Sequence, residues 1–212
     1  MQNVIVPIVE GHGDVDAAGN LIRRVLHEHL NNSAFRVASP KRLKRNRIVV
    51  DLPRMLEYAA GESGCKAIIV IVDADQECAR DLAANIARAA EERNIALPVS
   101  IVCPKTEYEA WFIASIETIR GSVFGRREAS IDPSATCPND VEALQSPKDW
   151  LSSRMPKNMS YKPTQDQKPL TNMLDISLVH NRSRSFRRFC HAVAELASAV
   201  QSGSTDVTPS IS

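Results

Sequence analysis

The chain lacks several features that mark common protein classes. None of its apolar runs approaches the roughly 18 residues that a membrane-spanning helix needs. Its beginning has no basic segment followed by an apolar stretch and a cleavage site, so we expect no signal peptide. The formal net charge is only +1, which excludes a global basic field for binding nucleic acid. It has no GxSxG motif, no Walker lysine loop and no Cys–His pattern, so nucleophilic catalysis and NTP hydrolysis lack support.

The cysteines lack the spacing of a metal site or a disulfide framework. The sequence has five of them, at positions 65, 78, 103, 137 and 190, and none forms a CxxC pair. An odd number of widely spaced cysteines predicts reduced thiols and argues against a zinc site. The cytoplasm is the compartment in which such thiols are expected.

What the chain does have is the composition and patterning of an α/β protein. Its 212 residues, 43% hydrophobic and 24% charged, suit one soluble α/β domain with an appended subdomain. Short β-branched runs predict buried parallel strands, and longer amphipathic segments predict helices between them. We predict strands at 4–9, 68–72 and 99–103, and helices at 14–30, 51–60, 77–93 and 107–119. This order indicates a three-layer α/β sandwich with a mainly parallel central sheet.

The amino-acid composition and the hydrophobic pattern of the sequence change near Gly121. Residues 121–170 contain six of the twelve prolines, and no apolar period persists there. We therefore predict a core at 1–120 and a loop-rich, partly helical extension at 121–200 that packs on it. Within the extension we expect short helices around 140–154 and a final amphipathic helix at 185–200. Residues 201–212 are rich in Ser, Thr, Pro and Gly and are predicted to be disordered.

Acidic residues follow two of the predicted strands. Glu10 and Asp14 come after the first strand, in the segment EGHGD. Asp73 and Asp75 follow the strand at 68–72. Because chemistry in open α/β sheets collects at the carboxyl ends of strands, these four carboxylates are expected at one edge. Their mutual repulsion would be relieved by a hard cation such as Mg²⁺. The alternative for each segment is an ordinary turn with an Asp N-cap.

A third group of charged residues follows the strand at 99–103. Glu107 and Glu109 lie near the start of a predicted helix, where only one of them can face the metal edge. We favour Glu109 as the ligand of a second metal ion, with stabilisation of the helix start as the alternative. Lys105 is the candidate for stabilising negative charge. Trp111 and Phe112 are expected in the core.

A run of basic residues lies between the first two predicted strands. Residues 41–47, KRLKRNR, contain five Lys or Arg residues. Such a run could follow a phosphate backbone, or it could be a solvated face.

The combination of Glu-Gly-x-x-Asp at 10–14 with Asp-x-Asp at 73–75 resembles the Toprim domain. That domain occurs in topoisomerases, bacterial primases, small ribosomal-RNA maturases and overcoming-lysogenization-defect nucleases. The resemblance implies a Rossmann-like sheet and a Mg²⁺-dependent phosphodiester site over residues 1–115. It implies that Glu10 is a metal ligand or general acid/base and that Asp73 and Asp75 are metal ligands, while Asp14 matches the acidic end of the first motif.

Further segments extend the resemblance along the chain. The chain resembles a small bacterial Toprim-like family of unknown function in the order of several short stretches. These are 9–14, 72–75, 107–112, 161–162, 170–171, Asp175 and 182–186. Members of that family are expected near ATPases of defence islands, which implies a possible ATPase partner.

These observations lead to two hypotheses. The first is a Mg²⁺- or Mn²⁺-dependent phosphodiesterase, a nuclease acting on DNA or RNA in bacterial defence. The second is a non-catalytic binding or regulatory subunit of an ATPase complex. A sugar-nucleotide site of the glycosyltransferase type, which also uses Asp-x-Asp, is a minor alternative. A chain of this length leaves no room for the gate of a topoisomerase or the accessory parts of a primase.

Overall fold

A parallel five-stranded sheet forms the centre of the protein in a computed structural model, which describes residues 3–93, 95–205 and 207. The strand order is β2-β1-β4-β5, and β3 pairs with β1 beyond the end of β2. The strands are β1 (Asn3–Val9), β2 (Phe35–Val37), β3 (Lys41–Arg42), β4 (Cys65–Ile71) and β5 (Val99–Val102). All four pairings in this sheet are parallel, so the predicted mainly parallel sheet is confirmed.

Pro7 lies where the edge beside β1 is interrupted. β2 pairs with β1 as far as Ile5, and β3 resumes the pairing at Ile8. Proline has no N–H to donate to a neighbouring strand, so it is tolerated in the middle of β1 where this edge is open. On the other side of β1, the register with β4 runs through Pro7 opposite Ile69.

Helices cover both faces of the sheet. They are α1 (His12–Arg24), α2 (Ile48–Ala60), α3 (Ala79–Glu91), α4 (Ala110–Ala114), α5 (Ile116–Ile119), α6 (Pro147–Ser152), α7 (Pro163–Met173), α8 (Ile176–Arg182) and α9 (Arg184–Ser202). Alternate residues of a strand point to opposite faces. Ile69 and Ile71 therefore pack with α1 and α9, whereas Ile68 and Val70 pack with α2 and α3. This is a Rossmann-like three-layer α/β fold, as predicted.

Two predicted helices differ from the structure in ways that affect the acidic residues. α1 begins at His12 with Gly11 as its N-cap, so Asp14 lies one turn inside the helix and is not the cap. The helix expected at 107–119 is two short helices, α4 and α5, separated by Ser115. Because α4 starts only at Ala110, Glu107 belongs to the preceding loop. Trp111 and Phe112 are fully buried, as expected.

The proline-rich extension contains more regular structure than its composition suggests. Pro147 and Pro163 stand at the first positions of α6 and α7, where a missing N–H costs nothing. A small antiparallel hairpin, β6 (Val123–Phe124) and β7 (Ala129–Ser130), precedes them.

The extension also completes the core. Phe186, Phe189 and Val193 of α9 are buried in the same cluster as Ile69 and Ile71 of the sheet. The apolar cluster on this face of the sheet therefore combines residues from both sides of position 120. α9 ends at Ser202, and half of the tail predicted to be disordered, residues 206 and 208–212, lies outside the described residues. No helix in the described part is long and apolar enough to cross a membrane.

Candidate functional site

Four carboxylates from three strand ends line one cavity of about 300 Å³. Glu10 and Asp14 follow β1, Asp73 follows β4, and Glu109 follows β5. The wall is completed by the first residues of α1, by α6 and by the first turn of α7. The remaining lining residues are Gly11, His12, Gly13, Lys148, Pro163, Thr164 and Gln167.

The register of the sheet explains why these carboxylates meet. Val9 lies opposite Ile71, and Ile71 lies opposite Val102, so the three strands end at nearly the same level. Backbone hydrogen bonds continue past the strands, from Val72 N–H to the Val102 carbonyl at 3.1 Å and from Ala74 N–H to the Pro104 carbonyl at 3.0 Å. The loops after β4 and β5 therefore run side by side.

Asp73 is fixed by the loop that follows β5. Its Oδ1 accepts a hydrogen bond of 2.9 Å from the backbone N–H of Tyr108. Burial raises the pKa of Asp73 well above its usual range, and the nearby charges of Glu109 and Asp14 raise it further. The pKa of Glu10 is also raised, mainly by burial and against the opposing effect of Arg45.

Asp75 does not join this group. Its φ is +47°, so the extended alternation that would place it beside Asp73 is broken after Ala74. Its N–H donates to the Thr106 carbonyl at 2.7 Å, and its side chain is 52% exposed. Asp75 is not among the described residues that line the cavity. The expectation that both carboxylates of the Asp-x-Asp motif face one ion is therefore not met.

Asp14 is held by two donors. Its Oδ2 accepts a hydrogen bond of 2.7 Å from Gly11 N–H, and its Oδ1 accepts one from the side-chain amide of Gln167. The first contact stabilises the turn between β1 and α1, and the second ties this turn to α7. Asp14 lines the cavity, but its geometry also fits the alternative of a structural turn residue.

Glu109 combines deep burial with an unsatisfied oxygen. The residue is 1% exposed, and its Oε2 accepts no hydrogen bond from the described residues but lies 3.5 Å from the ammonium of Lys148. Burial raises the pKa of Glu109 to about 7, while Lys148 opposes this shift and Glu107 adds to it. The buried Tyr161 hydroxyl neighbours Glu109, and burial together with the charge of Glu109 raises the pKa of Tyr161 well above its usual range.

Lys148 supplies the positive charge that borders the cavity. Its Nζ lies 2.9 Å from Glu107, 3.5 Å from Glu109 and 3.8 Å from Asp73. Its backbone N–H also donates to Glu107 Oε2 at 3.0 Å. Lys105, the cation expected from the sequence, is not among the described lining residues. Lys148 was missed because it lies 39 positions after Glu109, and only the start of α6 at Ser146-Pro147 could be recognised locally.

Arg45 borders the acidic group on its exposed side. Its guanidinium lies 2.6 Å from Glu77 and 3.4 Å from Glu10, and it donates to the Asp73 carbonyl. It therefore joins the loops after β1 and β4.

Other residues of the basic run also have partners within the protein. Lys41 pairs with Glu62 at 2.7 Å, and Arg47 pairs with Asp51 at 2.7 Å. Much of this basic charge is neutralised locally, which weakens the hypothesis that residues 41–47 follow a phosphate backbone.

The site fits a divalent cation in its donor chemistry. All the converging acidic side chains offer oxygen ligands, which Mg²⁺ and Mn²⁺ prefer, and Glu109 keeps one oxygen unsatisfied. The side chains are not preassembled, however. Among residues 3–93, 95–205 and 207, no three His, Cys, Asp or Glu side chains are placed to hold one ion. The cation that contacts Asp73 and Glu109 is the ammonium of Lys148.

Comparison with known proteins gives the family. Residues 9–194 match a family described as a domain of unknown function, DUF4276. The chain belongs to the DUF4276 family. The matched region extends into α9, as far as residue 194, in keeping with a core that continues beyond residue 120. No curated protein and no solved structure matches this DUF4276 chain. The Toprim resemblance stays a prediction.

Proposed function

We propose that this protein is a Mg²⁺- or Mn²⁺-dependent phosphodiesterase, and specifically a nuclease. The observation that supports this most is the convergence of Glu10, Asp73 and Glu109 on one cavity from three adjacent strand ends. The edge of the sheet is the one at which α/β enzymes bind their ligands.

The free-energy cost of burying the carboxylates that line the cavity supports a functional role for them. Burying carboxylates beside one another is costly, as the raised pKa values of Asp73 and Glu109 indicate. Perturbed carboxylates in a cleft mark a candidate functional site. A simple turn needs no acidic residue buried as deeply as Glu109.

Glu10, Asp73 and Glu109 would hold the cation, and Asp14 would contribute while it keeps its contacts to Gly11 and Gln167. The chemistry that a bound divalent cation supplies is Lewis-acid stabilisation of charge on a phosphoryl group. Arg45 fixes the loops that carry Glu10 and Asp73. Lys148 neutralises part of the acidic charge of Asp73 and Glu109.

The substrate and setting rest on the Toprim resemblance. It supports DNA or RNA as the substrate class and an ATPase of a bacterial defence system as a partner. A cytoplasmic location is proposed from the five cysteines, which are all free thiols.

One observation favours a second candidate function. Lys148 already offsets charge on three of the acidic side chains, so the group could be a purely structural ion-pair network. This favours a non-catalytic binding or regulatory subunit of an ATPase complex.

A metal-dependent cleavage assay tests the proposal. The full chain is incubated with DNA, tRNA and ribosomal RNA in Mg²⁺, Mn²⁺ or EDTA, with and without an ATPase encoded beside it. Asp73→Asn is expected to abolish cleavage and to leave thermal stability equal or higher, because it removes a costly buried charge. Asp81→Asn, the same change on an exposed part of α3, is the matched control. Absence of both cleavage and metal binding under all conditions would favour the regulatory subunit.

A further inference from the structure

We infer that the ammonium of Lys148 and a divalent cation compete for the same carboxylates, so that the chain carries its own displaceable counter-ion. This inference rests on the proposed function and concerns how the same site is controlled. The carboxylate oxygens of the site are of the type that binds a divalent cation. In the part of the chain that the structure describes they are not arranged to hold one, and two of these carboxylates surround the ammonium of a lysine instead.

The position of Lys148 is specific. Its Nζ lies within 4 Å of Asp73 and Glu109, two carboxylates on different strand ends that both line the cavity. Lys148 lines the same cavity. An ion that used oxygens of both carboxylates would therefore have to lie close to the ammonium.

The side chain of Lys148 can leave without loss of α6. Glu107 holds the residue twice, through the backbone N–H at 3.0 Å and through Nζ at 2.9 Å. The backbone contact does not depend on where the ammonium lies. Because the side chain is 37% exposed, rotation toward solvent carries Nζ out of the acidic group while α6 stays anchored.

Repulsion between like charges prevents the Lys148 ammonium and a divalent cation from occupying the site together. At separations near 4 Å, unit charges interact strongly in a partly buried site, and a divalent ion doubles the repulsion. When Lys148 is in place, Asp73 and Glu109 are partly compensated without metal. When metal binds, the ammonium must move away, and its displacement lowers the apparent metal affinity.

Metal titration of the full chain tests the inference. Calorimetry with Mn²⁺ is run on the wild type, on Lys148→Met, which keeps the length of the side chain but removes its charge, and on Lys157→Met. Lys157 is an exposed lysine of the same extension and controls for the change in net charge. We expect Lys148→Met to bind Mn²⁺ about ten-fold more tightly or better, because the competing charge is gone, and Lys157→Met to bind like the wild type.

A second variant covers the case in which Lys148→Met does not fold. Lys148→Met combined with Glu107→Gln keeps the net charge of the wild type and reduces the repulsion left behind. It too is expected to bind Mn²⁺ more tightly than the wild type. A further readout is thermal unfolding, in which saturating Mn²⁺ should raise Tm more for the variant than for the wild type.

The outcomes separate this inference from the proposed function. If the wild type binds Mn²⁺ and the folded variant binds it equally or more weakly, competition by Lys148 is wrong while the metal site stands. If neither protein binds Mn²⁺, the metal site itself is wrong, and the inference falls with it. Tighter binding by the variant and unchanged binding by Lys157→Met support competition.

Discussion

Glu107 and Glu109 show how two acidic residues of one short segment take different roles. Glu109 is buried and lines the cavity, with one oxygen unsatisfied. Both carboxylate oxygens of Glu107 accept hydrogen bonds from Lys148, Oε2 from the backbone N–H and Oε1 from Nζ. The sequence-based argument preferred Glu109 by assuming a helix at 107. The structure separates them differently, because the helix starts at Ala110 and both reach the same lysine.

The first prediction compares Glu109→Gln with Glu107→Gln. Glu109→Gln should lower Mn²⁺ affinity by about ten-fold or more, because a buried anionic ligand is lost. Its stability at neutral pH should not fall, since burial disfavours the ionised carboxylate. Glu107→Gln should cost about 1–3 kcal/mol of stability through weakened contacts to Lys148, with a mild effect on cleavage. Calorimetry and thermal unfolding give both readouts. Equal metal affinity in the two variants would confine the site to Glu10, Asp14 and Asp73.

The second prediction concerns thiol reactivity. Burial raises the pKa of both Cys103 and Cys190 to about 12. Because the thiolate is the reactive form, these two thiols should stay protonated and inert to alkylation at pH 8 in the folded protein. Cys78 is exposed and should react quickly. Peptide mapping after brief iodoacetamide treatment measures this, with the denatured chain as the control in which all five cysteines react. Rapid labelling of Cys190 in the folded protein would contradict the burial of α9.

The local sequence predicted the position of a site residue correctly where that residue directly follows a recognisable strand. Glu10 and Asp73 were placed at one sheet edge from the two β-branched runs that precede them. Lys148 could not be found in this way, because its contact with Glu109 depends on how α6 packs against a loop far away in sequence. Asp75 was misjudged because a positive φ at a non-glycine residue has no reliable local signal.

At the scale of elements, hydrophobic periodicity predicted the long strands and helices correctly. The short elements had too few residues for a pattern, and proline content wrongly suggested loops where short helices begin. The buried strands β1, β4 and β5 and the amphipathic α1, α3 and α9 follow from their patterns. β2 and β3 have three and two residues, too few for any pattern to appear. The prolines of the extension suggested loops, yet Pro147 and Pro163 begin helices.

The third prediction tests the contact between α1 and α7. A Cβ built on Gly13 would clash with Gln167 Oε1 and would lie 2.8 Å from the Pro163 carbonyl oxygen. The amide of Gln167 could rotate, but the backbone of Pro163 cannot yield without moving α7. Gly13→Ala should therefore cost about 1–3 kcal/mol by overpacking and should loosen the hydrogen bond from Gln167 to Asp14.

Gly61→Ala is the matched control for this change. Gly61 has φ of −74°, and a Cβ there would meet its nearest neighbour at 3.5 Å, an ordinary contact. Its stability should be unchanged or slightly higher, because alanine restricts the unfolded chain. Chemical denaturation of both variants gives the comparison. Equal stability of Gly13→Ala and Gly61→Ala would show that α7 does not pack closely against the start of α1.

At the scale of the whole molecule, the Toprim-like core expected at 1–120 is not a self-sufficient packing unit. α9 is contributed by residues far beyond that point, yet it covers the face of the sheet that carries Ile69 and Ile71. Trp111 of α4 packs against Phe186 and Phe189, with ring centroids 5.2 and 5.3 Å away. Its indole N–H donates to Ser185 Oγ at 3.0 Å. The first half of the chain thus depends on the last helix for both apolar and polar partners.

The fourth prediction is that residues 1–120 alone do not fold. Without α9, part of one sheet face, over β4 and β5, and the Trp111 side chain would meet water. The transfer of such apolar surface is unfavourable by about 25 cal/mol per Å². Circular dichroism of this fragment should show little cooperative unfolding, whereas the full chain should unfold cooperatively, because packed helices cover both faces of its sheet. Phe189→Ala in the full chain is the milder test of the same contact and should cost about 3–5 kcal/mol. A 1–120 fragment that unfolds cooperatively would contradict this account and would make α9 an accessory to an independent domain.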